Sequence, residues 1–517
     1  NSITGQWTND TTFSRLIDAG NPATPYFSEP SPNGQRINIG AYGGTGQASH
    51  SPTGGWFTVV SYYDGGSVQG EVTLNWIAGG EALGHLVSID WSPVGDLAWT
   101  NIVTDIPASQ GTITWNTVGF GRAACGKWRV VSQNNTNYYD TSKDCITLRD
   151  ETGSIPYYVN DSSVTGDVFC TAIGNSLNSG LLPSDPVNSI QQIINTYKLE
   201  PVDIIYVDTG LYLLTDSVSI GDLDSGAGTN RITVQGSTNR LSSGTVLDRQ
   251  VNAGGTSVIR LENVSGLTFR DLVLRGGDSG VFLQNVEDIT FSRVTALLNG
   301  QYGFNMNFSQ NVDIQNSVIR RNGSITNGSG IRLSFSAATL INSVVWDNFN
   351  GVDINAGGLN VSNSVLGSSY DGGRIYYVGA LSDVTAVNGD YNNYIAQAGA
   401  TLAEREKTTG GNDYYQYLQD WVFASSQDSN SLSHQPLFFD SNNGDFSLLS
   451  QSGRFLPNGS ITNDAFTSPM IDTGNPSSIF TNEVSPNGSR INIGNQGNST
   501  IASLSMTNPW LLALSYN

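Results

Sequence analysis

The sequence predicts an all-β protein in which a parallel β-helix, a solenoid of short strands, follows a compact β-sandwich. The observation that predicts the solenoid is a short apolar strand that recurs about every 22 residues, with no helical pattern between its copies. The sandwich is predicted from a separate block, where alternating apolar stretches are divided by Gly, Pro and Asp turns. Abundant Gly, Ser, Thr and Asn suit a protein built from strands and tight turns.

The β-sandwich is assigned to residues 53–150. Six of the ten Trp residues fall there, and stretches such as Val72–Trp76 and Val87–Trp91 indicate about seven strands in a hundred residues. The pattern resembles bacterial immunoglobulin-like and fibronectin-type modules. Cys125 and Cys145 flank a strand–turn–strand pattern, so they either form a disulfide between neighbouring strands or remain two buried thiols.

The parallel β-helix is assigned to residues 151–505 and is expected to begin with an entry helix. Asp185 and Pro186 are predicted to start that helix, as its cap and first turn. Successive rungs are then predicted to begin at Leu267, Ile289, Val312, Ala338 and Leu359. Stacking the rungs satisfies every backbone group along the solenoid. The Asn of the recurring Asn-Ser-Val triplets, at 316–318, 342–344 and 363–365, is expected to stack into a ladder at a bend.

The end of the chain repeats its beginning. Ile17–Pro22 returns as Ile471–Pro476, and Pro32–Gly40 returns as Pro486–Gly494, at a constant offset of 454 (471 − 17 and 494 − 40). Residues 1–52 are therefore interpreted as the closing segment of a preceding or neighbouring β-helix, and residues 506–517 as the start of the next sandwich. The expected partner is the protein itself, head to tail, as a covalent tandem repeat or a strand-complemented homopolymer.

Several stretches resemble a known group of proteins. Tyr157–Asp161, Ile205–Tyr212, Pro436–Phe438 and the repeated block ending at Gly494 are similar to large secreted bacterial proteins with right-handed parallel β-helix repeats. The resemblance covers nearly all of 151–498. It implies a right-handed coil and an extracellular or cell-surface location, and it says little about function because one fold serves many functions.

Charge excludes some classes of partner. The net charge of −21 and the pI near 4.3 argue against nucleic-acid binding, which requires basic patches. They also argue against electrostatic attachment to anionic lipid. No apolar run is long enough to cross a bilayer, so no membrane insertion is predicted.

No catalytic residues are assigned. The β-helix fold hosts pectin-type hydrolases, polysaccharide lyases and uronan epimerases, so the residues must be tested against those chemistries. A lyase requires a base and cations that neutralise the substrate carboxylate, yet the region assigned to the coil contains one His, His434, and two Lys, Lys198 and Lys407. The paired carboxylates of a hydrolase are not recognisable either.

Two weaker binding signals remain. Asp222 and Asp224 resemble part of a calcium loop without its distal bidentate Glu, so a structural Ca²⁺ is the one cofactor considered. Arg320, Arg321 and Arg332 form the basic cluster of the coil and are candidates for contact with a surface glycan, although the sequence favours a surface pair beside neighbouring Asp residues.

The sequence therefore predicts a non-catalytic extracellular structural or adhesive protein, a repeating module of a fibre, sheath or surface layer. The alternative is a carbohydrate-active or glycan-binding β-helix protein of the polysaccharide lyase type. Residues 148–156, a polar stretch without apolar periodicity, are predicted to link the two domains.

Overall fold

The structure, a computed structural model, describes residues 7–93, 95–120, 123–148, 154–221, 224–226, 228, 230–239 and 244–507. The chain divides into two compact units, Asn1–Gly153 with Thr196–Lys198, and Ser154–Asn195 with Leu199–Asn517. The boundary at Gly153 falls inside the predicted linker, of which residues 149–153 lie outside the described residues.

The first unit contains two sheets. Its strands are β1 (Trp56–Val59), β2 (Gly66–Val68), β3 (Glu71–Gly79), β4 (Leu86–Ser92), β5 (Thr100–Pro107), β6 (Thr112–Asn116), β7 (Ala123–Ser132), β8 (Tyr139–Thr141) and β9 (Ile146–Leu148), with 3₁₀ turns at Gly80–Gly84 and Ala108–Gln110. One sheet has the order β1-β3-β6, and the other has the order β2-β9-β7-β4-β5, with β8 beside β7. The pairing of β2 with β9 is parallel.

Aromatic side chains fill the space between these two sheets. Trp76 of β3, Trp91 of β4 and Trp128 of β7 are almost completely buried in one apolar cluster, because alternate residues of each strand face the opposite sheet. Cys125 on β7 and Cys145 next to β9 form a disulfide, with their Cα atoms 4.4 Å apart.

The second unit is a coil of three parallel sheets. Sheet 1 comprises Pro156–Val159, Ile204–Val207, Ile232–Gly236, Ser265–Arg270, Glu287–Ser292, Gln310–Gln315, Ser336–Ile341, Gly357–Ser362 and Val387–Asp390. Sheet 2 comprises Gly210–Leu213, Thr245–Asp248, Leu272–Arg275, Thr295–Leu297, Val318–Arg320, Val344–Trp346, Val365–Ser368 and Asn393–Ala396. Sheet 3 comprises Val218–Ile220, Ser257–Glu262, Ser279–Gln284, Tyr302–Asn307, Ser329–Ser334, Asn350–Ile354, Arg374–Val378 and Thr401–Glu406, to which Asn412–Tyr415 adds antiparallel.

The rungs stack in the register that the repeat period predicts. The predicted rung starts are paired directly in sheet 1, in the order Leu267, Ile289, Val312, Ala338 and Leu359. Each of these side chains points into the coil and is buried. The parallel β-helix predicted from the period is thus confirmed.

The prediction that the asparagines of the Asn-Ser-Val triplets stack into a ladder is wrong. Asn316, Asn342 and Asn363 adopt left-handed φ angles of 48–50°, which Asn tolerates better than most residues, and their side chains leave the stack. The stacked groups in the triplets are the serines, because Ser317 N donates to Ser343 Oγ and Ser343 N donates to Ser364 Oγ, both at 3.1 Å.

A buried asparagine ladder does exist at a different corner, between sheets 2 and 3. Asn299 Nδ2 donates to Asn322 Oδ1 at 2.9 Å, and Asn322 Nδ2 donates to Asn348 Oδ1 at 3.1 Å. All three side chains are buried. Each amide therefore satisfies the next along the coil axis, where water cannot reach.

The entry helix α1 runs from Ile190 to Thr196. It begins later than predicted, because the Asp185 carboxylate instead accepts hydrogen bonds from the backbone N and the hydroxyl of Ser179, at 3.0 and 2.6 Å. The predicted cap is therefore wrong, and Asp185 belongs to the loop that precedes the helix.

The described parallel strands of the coil end at Glu406. A 3₁₀ turn at Val384–Ala386 lies within the coil, and helix α2 (Leu418–Ser425) follows it. Two short hairpins then pair Phe438–Asp440 with Asp445–Leu448 and Arg454–Phe455 with Ile461–Thr462.

From residue 426 to residue 507 the chain packs against the side of the coil and adds no strand to its three sheets among the described residues. Met470, Ile471 and Ile493 lie in one apolar cluster with Val344 and Val365 of sheet 2. The C-terminal part of the range 151–505 thus covers the coil instead of lengthening it. The predicted start of another sandwich at 506–517 falls almost wholly outside the described residues.

Candidate ligand-binding face

The predicted basic cluster is divided between two sheets. Arg320 ends a strand of sheet 2, and its guanidinium donates to the carbonyl oxygens of Ser441 and Asn442 at 3.4 and 3.2 Å. Arg321 reaches the Asn442 side chain at 3.4 Å. Burial, and then the charge of Arg321, lower the pKa of Arg320. This pair therefore holds a loop of residues 426–507, the part of the chain that covers the side of the coil, while Arg332 lies on sheet 3.

The predicted calcium site lies partly outside the described residues. Asp222 lies outside the described residues, and Asp224 is buried with its carboxylate accepting the Leu199 N–H at 2.9 Å. In the described part of the chain, no group of three or more His, Cys, Asp or Glu side chains is placed to hold a metal ion.

The outward face of sheet 3 carries a column of polar and aromatic side chains. In register, from rung to rung, the column reads Arg260, Phe282, Asn305, Arg332, Asp353, Tyr377 and Glu404. The strand alternation creates this column, because the residues on either side of each member point into the coil. Rungs of a parallel sheet repeat about every 4.8 Å, so the column offers one group per rung along the coil axis.

The centre of this face is a cluster of four residues, Tyr302, Asn305, Arg332 and Asp353, which we call the Arg332 cluster. The Arg332 guanidinium lies over the Tyr302 ring, 5.4 Å from its centroid, and 4.0 Å from the Asp353 carboxylate. Arg332 makes no hydrogen bond with another described side chain or carbonyl. The Asn305 Oδ1 atom is buried and likewise lacks a donor among the described residues.

The ionisable groups of the cluster are perturbed by burial. Burial raises the pKa of Asp353 to about 6, against the opposing charges of Arg332 and Arg374. Burial also raises the pKa of Tyr302, while Arg332 lowers it. The cluster thus combines a guanidinium whose donors make no hydrogen bond among the described residues with a carboxyl group whose pKa is about 6.

The other charged groups on the same face are already paired. Arg374 forms an ion pair with Glu404 and donates to Asn350 Oδ1 at 3.2 Å. Arg260 is paired with Glu262 and lies 4.4 Å from the centroid of the Phe282 ring. Only at the Arg332 cluster does this column leave an arginine without a hydrogen-bond partner among the described residues.

Two exposed aromatic rings lie at the edge of sheet 3 that faces sheet 1. Phe308 and Phe335 stack with centroids 5.2 Å apart and an interplanar angle of 4°, and about half of each side chain is exposed. The sequence predicted Arg332 alone on this face, and it predicted neither these two rings nor the other members of the column. The repeat of the rungs could have indicated the two rings, because Phe308 and Phe335 stand at equivalent places in successive rungs.

A concave surface lies beside sheet 2. It is a groove of about 640 Å³ lined mainly by hydroxyl and amide side chains, among them Thr295, Asn316 and Thr500. Its arginine, Arg293, is engaged by both carboxylate oxygens of Asp271 at 2.7 Å. The described residues of its lining include no aromatic ring. The groove is thus less suited than the sheet 3 face to hold a charged, ring-shaped ligand.

Comparison with known proteins agrees with the coil. A family model described as "Right handed beta helix region" matches residues 210–370. No curated protein matches the chain. Among the described residues, no helix is long and apolar enough to cross a membrane.

The solved structures that are similar to the chain include three β-helix proteins. Pectate lyase Pel9A has a TM-score of 0.36 at 14% identity, covering 67% of this chain and 97% of its own. The A-module of the Azotobacter vinelandii mannuronan C-5 epimerase AlgE4 has a TM-score of 0.26 at 15% identity, covering 42% and 78%. The enzymatically active domain of bacteriophage CBA120 tailspike protein 2 has a TM-score of 0.15 at 13% identity, covering 48% and 44%.

Proposed function

We propose that this protein is an extracellular glycan-binding β-helix protein that holds an acidic polysaccharide along the outward face of sheet 3. The observation that carries the proposal is the Arg332 cluster, where a partly buried guanidinium has no hydrogen-bond partner among the described residues. Such a guanidinium can bind a carboxylate through two parallel hydrogen bonds. A sugar acid supplies that carboxylate.

The repeat of the coil supports a chain-like ligand. Groups that recur every rung, about 4.8 Å apart, match a polymer whose units recur at a similar distance. The exposed Phe308 and Phe335 rings offer flat apolar surfaces on which the C–H faces of a pyranose can pack. The ligand is therefore expected to lie along the coil axis and to contact several rungs.

The first unit supports an exported protein. The disulfide between Cys125 and Cys145 is a bond that persists in oxidising compartments. We assign this unit to an immunoglobulin-like module, supported by the order β2-β9-β7-β4-β5 opposite β1-β3-β6 and by the buried Trp91 on β4.

Binding can be tested by titration calorimetry with short oligomers of galacturonate and of mannuronate, and with a neutral malto-oligosaccharide as the reference ligand. We expect the acidic oligomers to bind and Arg332→Ala to weaken their binding about tenfold to a hundredfold, because a charge-assisted hydrogen bond contributes about 1.5–3 kcal/mol. Arg270→Ala, which removes an exposed arginine on sheet 1, should bind as the unmodified protein does.

Two results would contradict the proposal. One is that neither acidic oligomer binds the unmodified protein, and the other is that Arg332→Ala binds as tightly as Arg270→Ala. The same mixtures should show no rise in unsaturated-uronate absorbance, since we propose binding without cleavage. A rise that Arg332→Ala abolishes would assign a lyase activity to this face.

A further inference from the structure

The last described part of the chain packs on one particular strip of the coil surface. Residues 468–505, which we call the closing segment, place Met470, Ile471 and Ile493 on the outward valines of sheet 2, Val318, Val344 and Val365. We call these three the valine strip. They are almost completely buried although they point away from the coil interior. The Asn-Ser-Val triplets thus supply one outward apolar residue per rung for this contact.

Polar contacts set the position of the closing segment. The Asn475 N–H donates to Asn363 Oδ1 at 2.7 Å, and the Gly494 N–H donates to the Asn363 carbonyl at 2.8 Å. Asn316 Nδ2 donates to the Gly497 carbonyl at 2.7 Å. The asparagines that leave the stack therefore bind the closing segment.

Residues 14–51, the N-terminal copy, repeat the internal structure of the closing segment. Glu29 Oε1 accepts the N–H groups of Asn38 and Gly44 at 2.9 and 2.7 Å. At the offset of 454, Glu483 Oε1 accepts those of Asn492 and Asn498 at 3.0 and 2.8 Å.

Further bonds match in the same way. The Asp18 N–H donates to Asn38 Oδ1 at 2.7 Å, as the Asp472 N–H donates to Asn492 Oδ1 at 2.8 Å. The Ile39 N–H donates to the Leu16 carbonyl and the Ile493 N–H to the Met470 carbonyl, both at 2.9 Å. The N-terminal copy is thus folded as the closing segment is.

The two copies differ in the exposure of one apolar face, which in the closing segment contacts the valine strip. Met470 and Ile493 are 0% exposed, whereas their counterparts Leu16 and Ile39 are 51% and 50% exposed. The glutamates at the centre of the two copies are equally buried, at 5% for Glu29 and 4% for Glu483. The N-terminal copy therefore retains the folded interior and the apolar docking face, but that face is uncovered.

We propose that the N-terminal copy docks through Leu16, Ile17 and Ile39 on the valine strip of a second copy of this chain. The occupant is identified by the chain itself, because a segment with the same fold and the same apolar positions already occupies that strip. By the same correspondence, the Asn21 and Gly40 N–H groups would donate to the partner subunit's Asn363. The contact joins two different surfaces, so its repetition gives an open, head-to-tail assembly.

Each valine strip accepts one segment, so the second copy must release its own closing segment. The closing segment is tethered to its strip and has a high effective concentration there. The unmodified protein should therefore exchange little at low concentration. Weakening the closing segment should open the strip to the N-terminal copy of another chain.

The test uses the full chain and four variants. Ile493→Asp places a charge against the valine strip and should release the closing segment, measured by hydrogen exchange of residues 468–505. Should the segment stay protected, Ile471→Asp is added. The released protein should form dimers and longer species in sedimentation experiments at tens of micromolar, with residues 14–51 protected from exchange.

The double variant Ile39→Asp/Ile493→Asp should associate roughly a hundredfold more weakly, because the second charge lies at the docking face. Phe27→Asp/Ile493→Asp is the matched control, since Phe27 is exposed and corresponds to the exposed Thr481, away from the valine strip. It should associate as Ile493→Asp does. A monomeric protein with a freely exchanging closing segment, or association that survives Ile39→Asp, would overturn the proposal.

Discussion

Single buried carboxyl groups organise this protein in two different ways. Asp208 is completely buried and serves the loop beside the first rungs, whereas Asp353 is partly buried on the outward face of sheet 3. The first accepts hydrogen bonds from backbone N–H groups. The second has a raised pKa because burial disfavours its charge.

Asp353 should make ligand binding depend on pH. With a pKa of about 6, its carboxyl is mostly neutral at about pH 5 and mostly ionised at about pH 7.5, while a sugar acid with a pKa of about 3.5 stays ionised throughout. The neutral form removes a negative charge that competes with the ligand for Arg332. Acidic oligomers should therefore bind several-fold more tightly at the lower pH.

Asp353→Asn should remove this pH dependence and bind tightly at both values, as titration calorimetry can show. Asp10→Asn, an exposed carboxylate of the first unit, should retain the dependence. Equal affinity of the unmodified protein at the two pH values would contradict the role given to Asp353.

Asp208 should be a strong determinant of stability. Its carboxylate accepts the N–H groups of Val168, Phe169 and Cys170 at 2.8, 2.7 and 2.5 Å. Asp208→Ala removes the acceptor of three backbone N–H groups, of which the Cys170 N–H is buried and the other two are partly buried. The free energy of unfolding in urea should therefore fall by about 2–3 kcal/mol. Asp216→Ala, at an exposed position, should change it little.

The buried Cys170 thiol reports on the same loop. Burial, and then the charge of Asp208, raise its pKa, so the thiol should react slowly with a disulfide reagent in the native protein. Faster labelling in Asp208→Ala than in Asp216→Ala would localise the damage to this loop. Equal labelling rates in the two variants would show that the stability lost in Asp208→Ala does not come from this loop.

At the scale of elements, the corners of the coil decide which side chains stack. The Asn299–Asn322–Asn348 ladder lies inside, and the asparagines of the Asn-Ser-Val triplets lie outside under the closing segment. Both sets recur with the period of the rungs. Their difference in role follows from the left-handed φ at Asn316, Asn342 and Asn363, which turns the chain at that corner.

The interior ladder should be sensitive at its middle member. Asn322→Ala removes the acceptor of the Asn299 amide and the donor to Asn348, so it should lower the free energy of unfolding by about 2–3 kcal/mol. Asn360→Ala, on the exposed face of sheet 1, is the matched control. Similar urea midpoints for the two variants would show that the ladder does not contribute this much to stability.

At the scale of the whole molecule, the closing segment should loosen as pH rises. Burial raises the pKa of Glu483 to about 7 from its ordinary value of 4.5, against the two backbone N–H groups it accepts. Between these two pH values the unfolded segment releases a proton that the folded one retains. The folded segment therefore loses stability as pH rises from about 4.5 to about 7, and little more above that.

Hydrogen exchange of residues 468–505 at several pH values, corrected for the intrinsic rate, can measure this effect. Asp472 also has a pKa raised by burial and adds a loss of the same sign at lower pH. Glu483→Gln should flatten the dependence between about pH 5 and pH 7. A segment whose protection grows over that range would contradict the assignment.

Much of the coil could be predicted from the sequence, whereas the candidate site could not. Leu267, Ile289 and their successors predict the register because a rung must place its apolar residue inward at each turn. Of the four residues in the Arg332 cluster, the sequence predicted only Arg332. Tyr302, Asn305 and Asp353 stand in different rungs, so their proximity depends on how the rungs align and carries no local signal.

By itself, the sequence determined the three properties that depend on spacing along the chain: the period of the rungs, the alternation within each strand and the repeat of the N-terminal copy at residue 471. Only the tertiary structure decided that the closing segment lies on the side of the coil. Val318, Val344 and Val365 point outward, and an outward valine is explained only by what covers it. The closing segment that covers these valines lies more than a hundred positions further along the chain. Its position on the coil is set by the free energy of burying the two apolar surfaces against each other, and no local sequence pattern indicates that free energy.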